Sequence, residues 1–150
     1  MRIAIAADHN GVPMKAQLVR WLTANAHEVD DRGVFGTDTV DYPALCEDVC
    51  RQVVDGPADR AIMIGGTGSG EAIACNKIRG VRASLCMETF TAQIAAAHNL
   101  ANVLVLGSKV IAPTIAERIV QTWLTTPFKG GQHQDRIDQI AALERGESLL

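Results

Sequence analysis

Short apolar runs alternate along the chain with segments in which apolar residues recur every fourth position. The runs at residues 2–7, 61–64 and 103–106 lack the strict alternation of half-buried strands. They are therefore predicted to be strands buried on both faces of a parallel sheet. Two further strands are predicted at residues 28–31 and 81–86, and every interval between strands is long enough to hold a helix.

Helical periodicity occupies these intervals. Three of the apolar repeats are Met14, Leu18 and Leu22, then Leu45, Val49 and Val53, and then Ile111, Ile115 and Ile119. Two more helices are predicted, one over residues 71–77 and one over about 88–98. Beyond Gly130 and Gly131, a last helix carries Ile137, Ile140 and Ala141 on one face, after the sheet pattern has ended.

The alternation of strands and helices predicts an α/β fold. We expect a Rossmann-like, doubly wound parallel sheet of about five strands, with helices on both faces and an extra C-terminal helix. A length of 150 residues suits one domain covering residues 1–150. Because such sheets bind ligands beyond the carboxyl ends of their strands, the loops after Ala7, Ile64 and Leu106 are candidate sites.

Composition and charge narrow the classes of function. Hydrophobic residues make up 47% of the chain and charged residues 21%, as in globular proteins. The net charge of -3 and the scattered Lys and Arg residues argue against nucleic acid as a partner. The first apolar run is too short for a signal peptide or a membrane span, so we expect no membrane association and a cytoplasmic location.

The four cysteines show no CxxC pair. In a cytosolic protein they are expected to be reduced, and Cys46, Cys50, Cys75 and Cys86 are interpreted as small apolar side chains. Cys46 and Cys50 stand four residues apart, but no further ligand completes a metal site with them. The sequence therefore predicts neither a metal nor an organic cofactor.

A glycine-rich loop at residues 65–70 joins an apolar strand to a helix. It nearly fits the nucleoside triphosphate motif GxxxxGK[ST], but Glu71 replaces the phosphate-binding Lys and Ala72 the Mg²⁺-binding hydroxyl. The dinucleotide motif GxGxxG fails on its spacing. A nucleotide is therefore disfavoured as the ligand.

The same loop suits an enediolate, the intermediate of aldose-ketose isomerisation. That reaction needs a base to carry a proton between adjacent carbons and donors that stabilise the oxygen charge. Glu71 is the candidate base, and Thr67 is a candidate donor. The backbone N-H groups are the remaining candidate donors, and the substrate-binding positions are Gly66, Gly68, Ser69 and Gly70. Alternatively, Glu71 only stabilises the positive end of its helix.

Several short motifs, taken in order, resemble ribose-5-phosphate isomerase type B and its lactose-pathway relatives. They are residues 8–11 (DHNG), 41–43 (DYP), 66–70 (GTGSG), 76–77 (NK), 98–99 (HN), 101–103 (ANV), 107–108 (GS) and 130–136 (GGQHQDR). The likeness spans nearly the whole chain. It implies a Rossmann-like homodimer, or a tetramer, whose active sites combine both chains, acting on a sugar or sugar phosphate in the pentose phosphate pathway.

The resemblance also implies roles for individual residues. One branch of the family uses a Cys before the glycine loop as base and another a Glu after it, and with Gly65 and Glu71 this chain resembles the Glu branch. His98, with Asp8, would assist ring opening, although a His at a helix end is also common in structural roles. The implied substrate contacts are His9, Tyr42, Asn99, Lys109, Gln132 and Arg136.

Two positions depart from the pattern of the relatives. They usually carry Arg where this chain has Lys109 and Gln132, near the substrate phosphate, and Arg136 alone keeps that identity. Lys cannot form the bidentate contact of Arg, and Gln carries no charge. Ribose 5-phosphate is the expected substrate, with another sugar or sugar phosphate as the alternative. A noncatalytic ligand-binding module is a third interpretation.

Overall fold

A computed structural model describes residues 1–150 of the protein. Five strands alternate with five helices, and a sixth helix follows. The strands are β1 (Arg2–Ala7), β2 (Glu28–Asp31), β3 (Arg60–Gly65), β4 (Ala83–Leu85) and β5 (Val103–Gly107). The helices are α1 (Val12–Ala24), α2 (Tyr42–Val54), α3 (Ser69–Cys75), α4 (Thr89–Ala97), α5 (Pro113–Thr125) and α6 (Gln132–Glu144).

The five strands form one sheet in the order β2-β1-β3-β5-β4, and every pairing is parallel. The chain moves from β1 to one edge at β2, and then crosses back to β3 on the other side of β1. This reversal places the switch point of the sheet between β1 and β3, where open parallel sheets bind ligands. The prediction of a Rossmann-like, doubly wound fold is confirmed.

Successive residues of each central strand face opposite sides, and both sides are buried. On one side Ile3, Ile5 and Ile62 pack with α1, α4 and α5, where Trp123 is fully buried. On the other side Ala4 and the neighbouring strands pack with α2 and α3. The continuous apolar character of these strands follows from this double burial.

Some boundaries differ from those predicted. β4 covers only residues 83–85, because Val81 is buried in the turn before the strand rather than in the ladder. α3 begins at Ser69, directly after Gly68 with its left-handed φ of 80°. Ile111 is buried but precedes α5, whose first residue is Pro113. On α6, Ile137 is buried while Ile140 is 51% exposed, so the predicted apolar face is only partly covered by this chain.

All four cysteines are free and buried, as expected of small apolar side chains. Cys46 and Cys50 of α2 and Cys75 of α3 lie in the core layer between these helices and the sheet. Contacts with Cys46 and Cys50, together with burial, raise the pKa of Cys75. No group of three or more His, Cys, Asp or Glu side chains is arranged to hold a metal ion. None of the helices has the length and apolar character needed to cross a membrane.

One buried ion pair links the first helix to the loop that leads toward α2. Lys15 is 2% exposed, pairs with Asp31 at the end of β2, and lies 4.3 Å from the ring centroid of Phe35. Asp31 also accepts a hydrogen bond from the Gly33 backbone N-H at 3.1 Å. A buried ammonium needs such partners, because its desolvation is costly. The pair thus fixes the loop that approaches His9 through Val40.

Removing Asp31, which leaves the buried Lys15 ammonium unpaired, should destabilise the fold more than removing the ammonium itself. Asp31→Ala leaves the Lys15 ammonium unpaired and should lower the free energy of unfolding by about 2 kcal/mol, less than a fully buried pair because Asp31 is part-exposed. Lys15→Met keeps the apolar stem and removes the charge, so its cost should be under about 1 kcal/mol. Urea denaturation of both variants measures this, and equal losses would contradict it.

Candidate active site

Three loops meet at the switch point of the sheet. The Asp8 backbone N-H donates to the Ile64 carbonyl at 2.9 Å, joining the loop after β1 to the end of β3. The Ser108 hydroxyl is 3.0 Å from the carbonyl oxygens of both Asn10 and Gly65, which it can serve as a donor. The predicted candidate loops, after Ala7, Ile64 and Leu106, therefore form one site.

The Glu71 carboxylate lies against the backbone of Gly65. Glu71 is in the first turn of α3, yet it is only 4% exposed because its side chain folds back under the glycine loop. A Cβ at position 65 would overlap this carboxylate. A side chain at position 65 and the present position of Glu71 are therefore mutually exclusive.

The pKa of Glu71 is raised, chiefly because burial disfavours the ionised form. A backbone hydrogen bond at Glu71 opposes the shift, and the negative charge of Asp8 adds to it. A raised pKa brings a carboxyl group closer to the range in which it can both accept and return a proton near neutral pH. The alternative, in which Glu71 only stabilises a helix end, does not require this burial.

Asp8 is also buried, at 4% exposure, and the hydrogen bonds of its side chain stay within its own turn. Its Oδ1 accepts from the backbone N-H groups of Asn10 at 2.8 Å and Gly11 at 3.1 Å. Its Oδ2 accepts from the side-chain amide of Asn10 at 2.9 Å. Asp8 thus shapes the loop and places a second carboxylate beside Glu71.

The remaining positions predicted for this end of the sheet surround the same loop. Thr67 and Ser69 are exposed at its rim, and the Ser69 backbone N-H donates to the Thr67 hydroxyl at 3.3 Å. Tyr42, the first residue of α2, packs its hydroxyl against Gly70, where any Cβ would collide with it. Lys109 is exposed, and its backbone N-H donates to the Gly66 carbonyl at 2.9 Å.

His9 is half-buried beside them. Its Nε2 is 3.2 Å from the Asn10 amide nitrogen, and its Nδ1 is 3.4 Å from the Val40 backbone nitrogen. We call the assembly the glycine-loop site. It comprises Asp8, His9, Tyr42, residues 66–71 and Lys109.

His98 and Arg136 lie in a different place. His98 caps the C-terminus of α4 and stacks on His133 of α6, with a centroid separation of 3.9 Å and an interplanar angle of 14°. Lys129 Nζ is 3.4 Å from His98 Nε2. Burial, His133, Lys129 and Arg136 together lower the pKa of His98.

We call His98, Lys129, His133 and Arg136 the histidine cluster. Gln132, exposed, begins α6 beside it, and Asn99, exposed, follows His98.

The glycine-loop site and the histidine cluster occupy opposite ends of the sheet. The loop site follows β1, β3 and β5, whereas His98 precedes β5 in the chain. A strand of five residues spans roughly 17 Å. One chain therefore brings together Glu71, Thr67, Asp8, His9, Tyr42 and Lys109, but it does not bring His98, Asn99, Gln132 or Arg136 to them.

Four residues were not predicted to have a role at the site: His133, Lys129, Asn10 and Ser108. Asn10 and Ser108 fall within the motifs at residues 8–11 and 107–108. Their structural roles depend on hydrogen bonds within and between loops that the sequence does not reveal. His133 lies between Gln132 and Arg136, and it stacks on His98 from far along the chain, as Lys129 contacts His98 across 31 residues. The one available signal was a second His beside positions already expected to bind substrate.

A buried carboxylate with a raised pKa, beside the N-terminus of a helix at the switch point of the sheet, is typical of an α/β enzyme that moves a proton on a small ligand. Comparison with known proteins gives the family. The family model described as Ribose/Galactose Isomerase matches residues 3–140. The chain belongs to this family.

Relatives match over almost their full length. Ribose-5-phosphate isomerase B of Escherichia coli K12 is 40% identical over 144 residues, which cover 96% of this chain and 97% of that protein. The structure of Clostridium thermocellum ribose-5-phosphate isomerase B has 40% identity and a TM-score of 0.96, covering 99% and 100% of the two chains. The Mycoplasma genitalium enzyme with bound ribulose 5-phosphate has 36% identity and a TM-score of 0.91, covering 96% of each chain.

Glu71→Gln should stabilise the protein at neutral pH. The folded-state pKa of Glu71 is raised, so the folded chain binds more protons than the unfolded chain above the ordinary Glu range, and stability falls as pH rises through that window. Gln carries no charge, so the gain should appear above the raised pKa and vanish below the ordinary one. Urea denaturation from about pH 4 to 8 tests this. A gain that is independent of pH would contradict the burial argument.

Proposed function

We propose that the protein is an aldose-ketose isomerase that interconverts ribose 5-phosphate and ribulose 5-phosphate, with Glu71 as the base. The observation that carries this proposal is the buried Glu71 carboxylate, with its raised pKa, at the head of a glycine loop. The family, and the activity of its relatives, indicate the same class of reaction.

The proton transfer proceeds in two steps on the open-chain sugar. Glu71 takes the proton from C2, and the electron pair of that bond forms the C1-C2 double bond while O1 becomes negative. Glu71 then returns the proton to C1, the proton of the O2 hydroxyl passes to O1, and O2 becomes the ketone oxygen. The loop N-H groups and the Thr67 hydroxyl stabilise the enediolate oxygen, as preorganised donors do.

The complete site is shared between two chains of a homodimer, or of a tetramer built from such dimers. Support comes from the separation of the glycine-loop site and the histidine cluster by the length of the sheet. In a two-fold dimer each end of one chain can face the opposite end of its partner, which yields two equal sites. His98 and Asn99 from one chain then meet Glu71 from the other, and His98 assists ring opening.

The phosphate is bound by side chains from both ends. His9 and Lys109 contribute from the glycine-loop site, and Arg136 contributes from the histidine cluster. Gln132 brings no charge, but Lys129 supplies a second full positive charge to the cluster. Lysine binds phosphate as a point charge, without the planar fork of Arg. The protein therefore binds the phosphate of the substrate through positive charges, with fewer bidentate contacts.

A second candidate substrate is another sugar or sugar phosphate with the same proton transfer. It is favoured by Lys109 and Gln132, which stand where the relatives usually carry Arg. A noncatalytic binding module is less well supported, because it gives no reason to bury a carboxylate against Gly65. Free, buried cysteines suit work in the reducing cytosol, where we place this single-domain protein.

Glu71→Gln should strongly lower turnover while the fold is kept. Loss of the base should lower kcat on ribose 5-phosphate by roughly 10²- to 10⁴-fold or more, with little change in substrate affinity. Purified protein would be assayed on ribose 5-phosphate, ribose, allose 6-phosphate and tetrose phosphates. Glu47→Gln, which removes a carboxylate from the exposed surface of α2, is the matched control and should keep full activity.

The outcomes separate the candidates. Turnover of ribose 5-phosphate that is lost in the Glu71 variant supports the proposal. Turnover of another sugar in preference would assign Lys109 and Gln132 to a changed specificity. If no sugar is turned over, or if Glu71→Gln stays active, the proposed function is wrong.

Two inactive variants with defects at opposite ends of the chain should complement each other. In a dimer of Glu71→Gln with His98→Asn, one of the two shared sites contains neither substitution. Random pairing makes half of the dimers mixed, so activity should recover to about a quarter of the wild-type rate. Co-expression with two affinity tags provides the mixture.

The matched control is Glu71→Gln with Thr67→Ala. Both defects lie in the glycine-loop site, so every mixed dimer has one defect in each site and activity should stay low. No recovery with His98→Asn, or a monomer in sedimentation, would exclude the shared site.

A further inference from the structure

The turn before α6 holds the two imidazole rings of the histidine cluster together. The Lys129 backbone N-H donates to the Ala97 carbonyl at 2.9 Å, which ties the segment before α6 to the end of α4. Gly130 and Gly131 then adopt positive φ values of 64° and 58°, and α6 begins at the next residue. This route places His133 flat on His98, at 3.9 Å between centroids.

The charged groups around His98 are all basic. Lys129 reaches it from the segment before α6, and His133 and Arg136 reach it from α6. No titratable residue of α4 itself lies near, and none of the eight ion pairs of the protein involves either imidazole. An imidazolium at His98 would be covered by a ring and repelled by cations, with no carboxylate to balance it.

We propose that His133 is a positioning residue, whose ring fixes the plane of His98 and holds it as the neutral imidazole required for opening the sugar ring. The inference rests on the proposed function. It adds a residue to that reaction which acts through His98 and does not itself contact the reacting atoms.

Ring opening explains why neutrality matters. The proton of the anomeric O1 hydroxyl passes to His98, the bond between C1 and the ring oxygen breaks, and C1 becomes an aldehyde carbon. The imidazolium so formed then gives a proton to the ring oxygen, which becomes a hydroxyl, so no proton is gained or lost overall. Only a neutral imidazole can accept the first proton, and a neighbouring cationic surface favours its quick release.

A purely structural stack would have different consequences. It would affect stability and would impair every step of the reaction alike, because it would only hold α6 against α4. A positioning role predicts a selective defect, confined to substrates that must be opened. Ribulose 5-phosphate provides the contrast: its O5 carries the phosphate, so it cannot close a five-membered ring and enters the site as the open chain.

The test compares His133→Ala with His133→Phe. Ala removes the stack, whereas Phe keeps a flat ring without charge. Three quantities would be measured: turnover of ribose 5-phosphate against pH, exchange of the C1 hydrogen of ribulose 5-phosphate with deuterated water, and NMR titration of the His98 ring. The exchange needs Glu71 but no ring opening.

For His133→Ala we expect turnover of ribose 5-phosphate to fall about tenfold to a hundredfold, as for a misplaced reacting group, while C1 exchange stays within about twofold of wild type. Removal of the covering ring and its charge should raise the pKa of His98. Activity, which is lost as pH falls through that pKa, should then disappear at a higher pH. His133→Phe should recover most of the turnover, with an intermediate pH profile.

Equal losses of turnover and exchange would overturn the proposal in favour of a structural stack. Unchanged turnover with an unchanged His98 titration would overturn it as well. If His133→Ala does not fold, His133→Phe decides, since it must keep near-normal turnover and shift the His98 titration upward. The NMR titration does not depend on catalysis, so it tests the pairing even if wild-type protein turns over no sugar and the proposed function fails.

Discussion

The Glu71 carboxylate fills the space beside Gly65 that a side chain there would occupy. This one steric constraint organises the glycine-loop site. It requires a bare backbone at the last residue of β3, and it requires α3 to begin at once, so that the first turn can fold a side chain back under the loop. Burial then raises the pKa of Glu71, and Asp8 adds a like charge beside it. A Cys at position 65 would need the volume that the Glu71 carboxylate fills, so a side chain before the loop and this placement of Glu71 exclude each other.

The parallel sheet imposes the second constraint. Because every strand runs in the same direction, loops that follow strands and helix ends that precede strands are separated by the full length of the sheet. Glu71 belongs to the first class and His98 to the second. In the proposed mechanism, proton transfer and ring opening therefore use groups that a single copy of this fold keeps apart. A two-fold pair is the simplest arrangement that reunites them, and the part-exposed apolar face of α6 lies at the end where a partner would have to reach.

The sequence was sufficient for the class of fold and for singling out Glu71 at the glycine loop. Double burial leaves continuous apolar runs, and these identified β1, β3 and β5 with boundaries correct to about one residue. Glu71 stood out because a carboxylate occupies the position that nucleotide loops give to Lys. The sequence failed where tertiary contacts override local pattern. Val81 is apolar and buried but does not pair in the sheet, and Ile111 repeats the helical spacing of α5 without belonging to it.

The separation of the glycine-loop site from the histidine cluster also bears on the residues proposed to bind the phosphate. Lys109 lies with Glu71, whereas Gln132 lies with His98, so these two residues belong to different surfaces of one chain. In the proposed function Lys109 attracts the phosphate as a point charge and, without the planar fork of an Arg, constrains the orientation of the phosphate less. At the histidine cluster Lys129 and Arg136 maintain full positive charge beside the stacked imidazoles. In the proposed function that charge serves two purposes at once, because the cations that bind the phosphate also disfavour an imidazolium at His98. A carboxylate beside His98 would stabilise the imidazolium, but it would also weaken the attraction of the phosphate. This gives a physical reason for a cluster with no carboxylate partner.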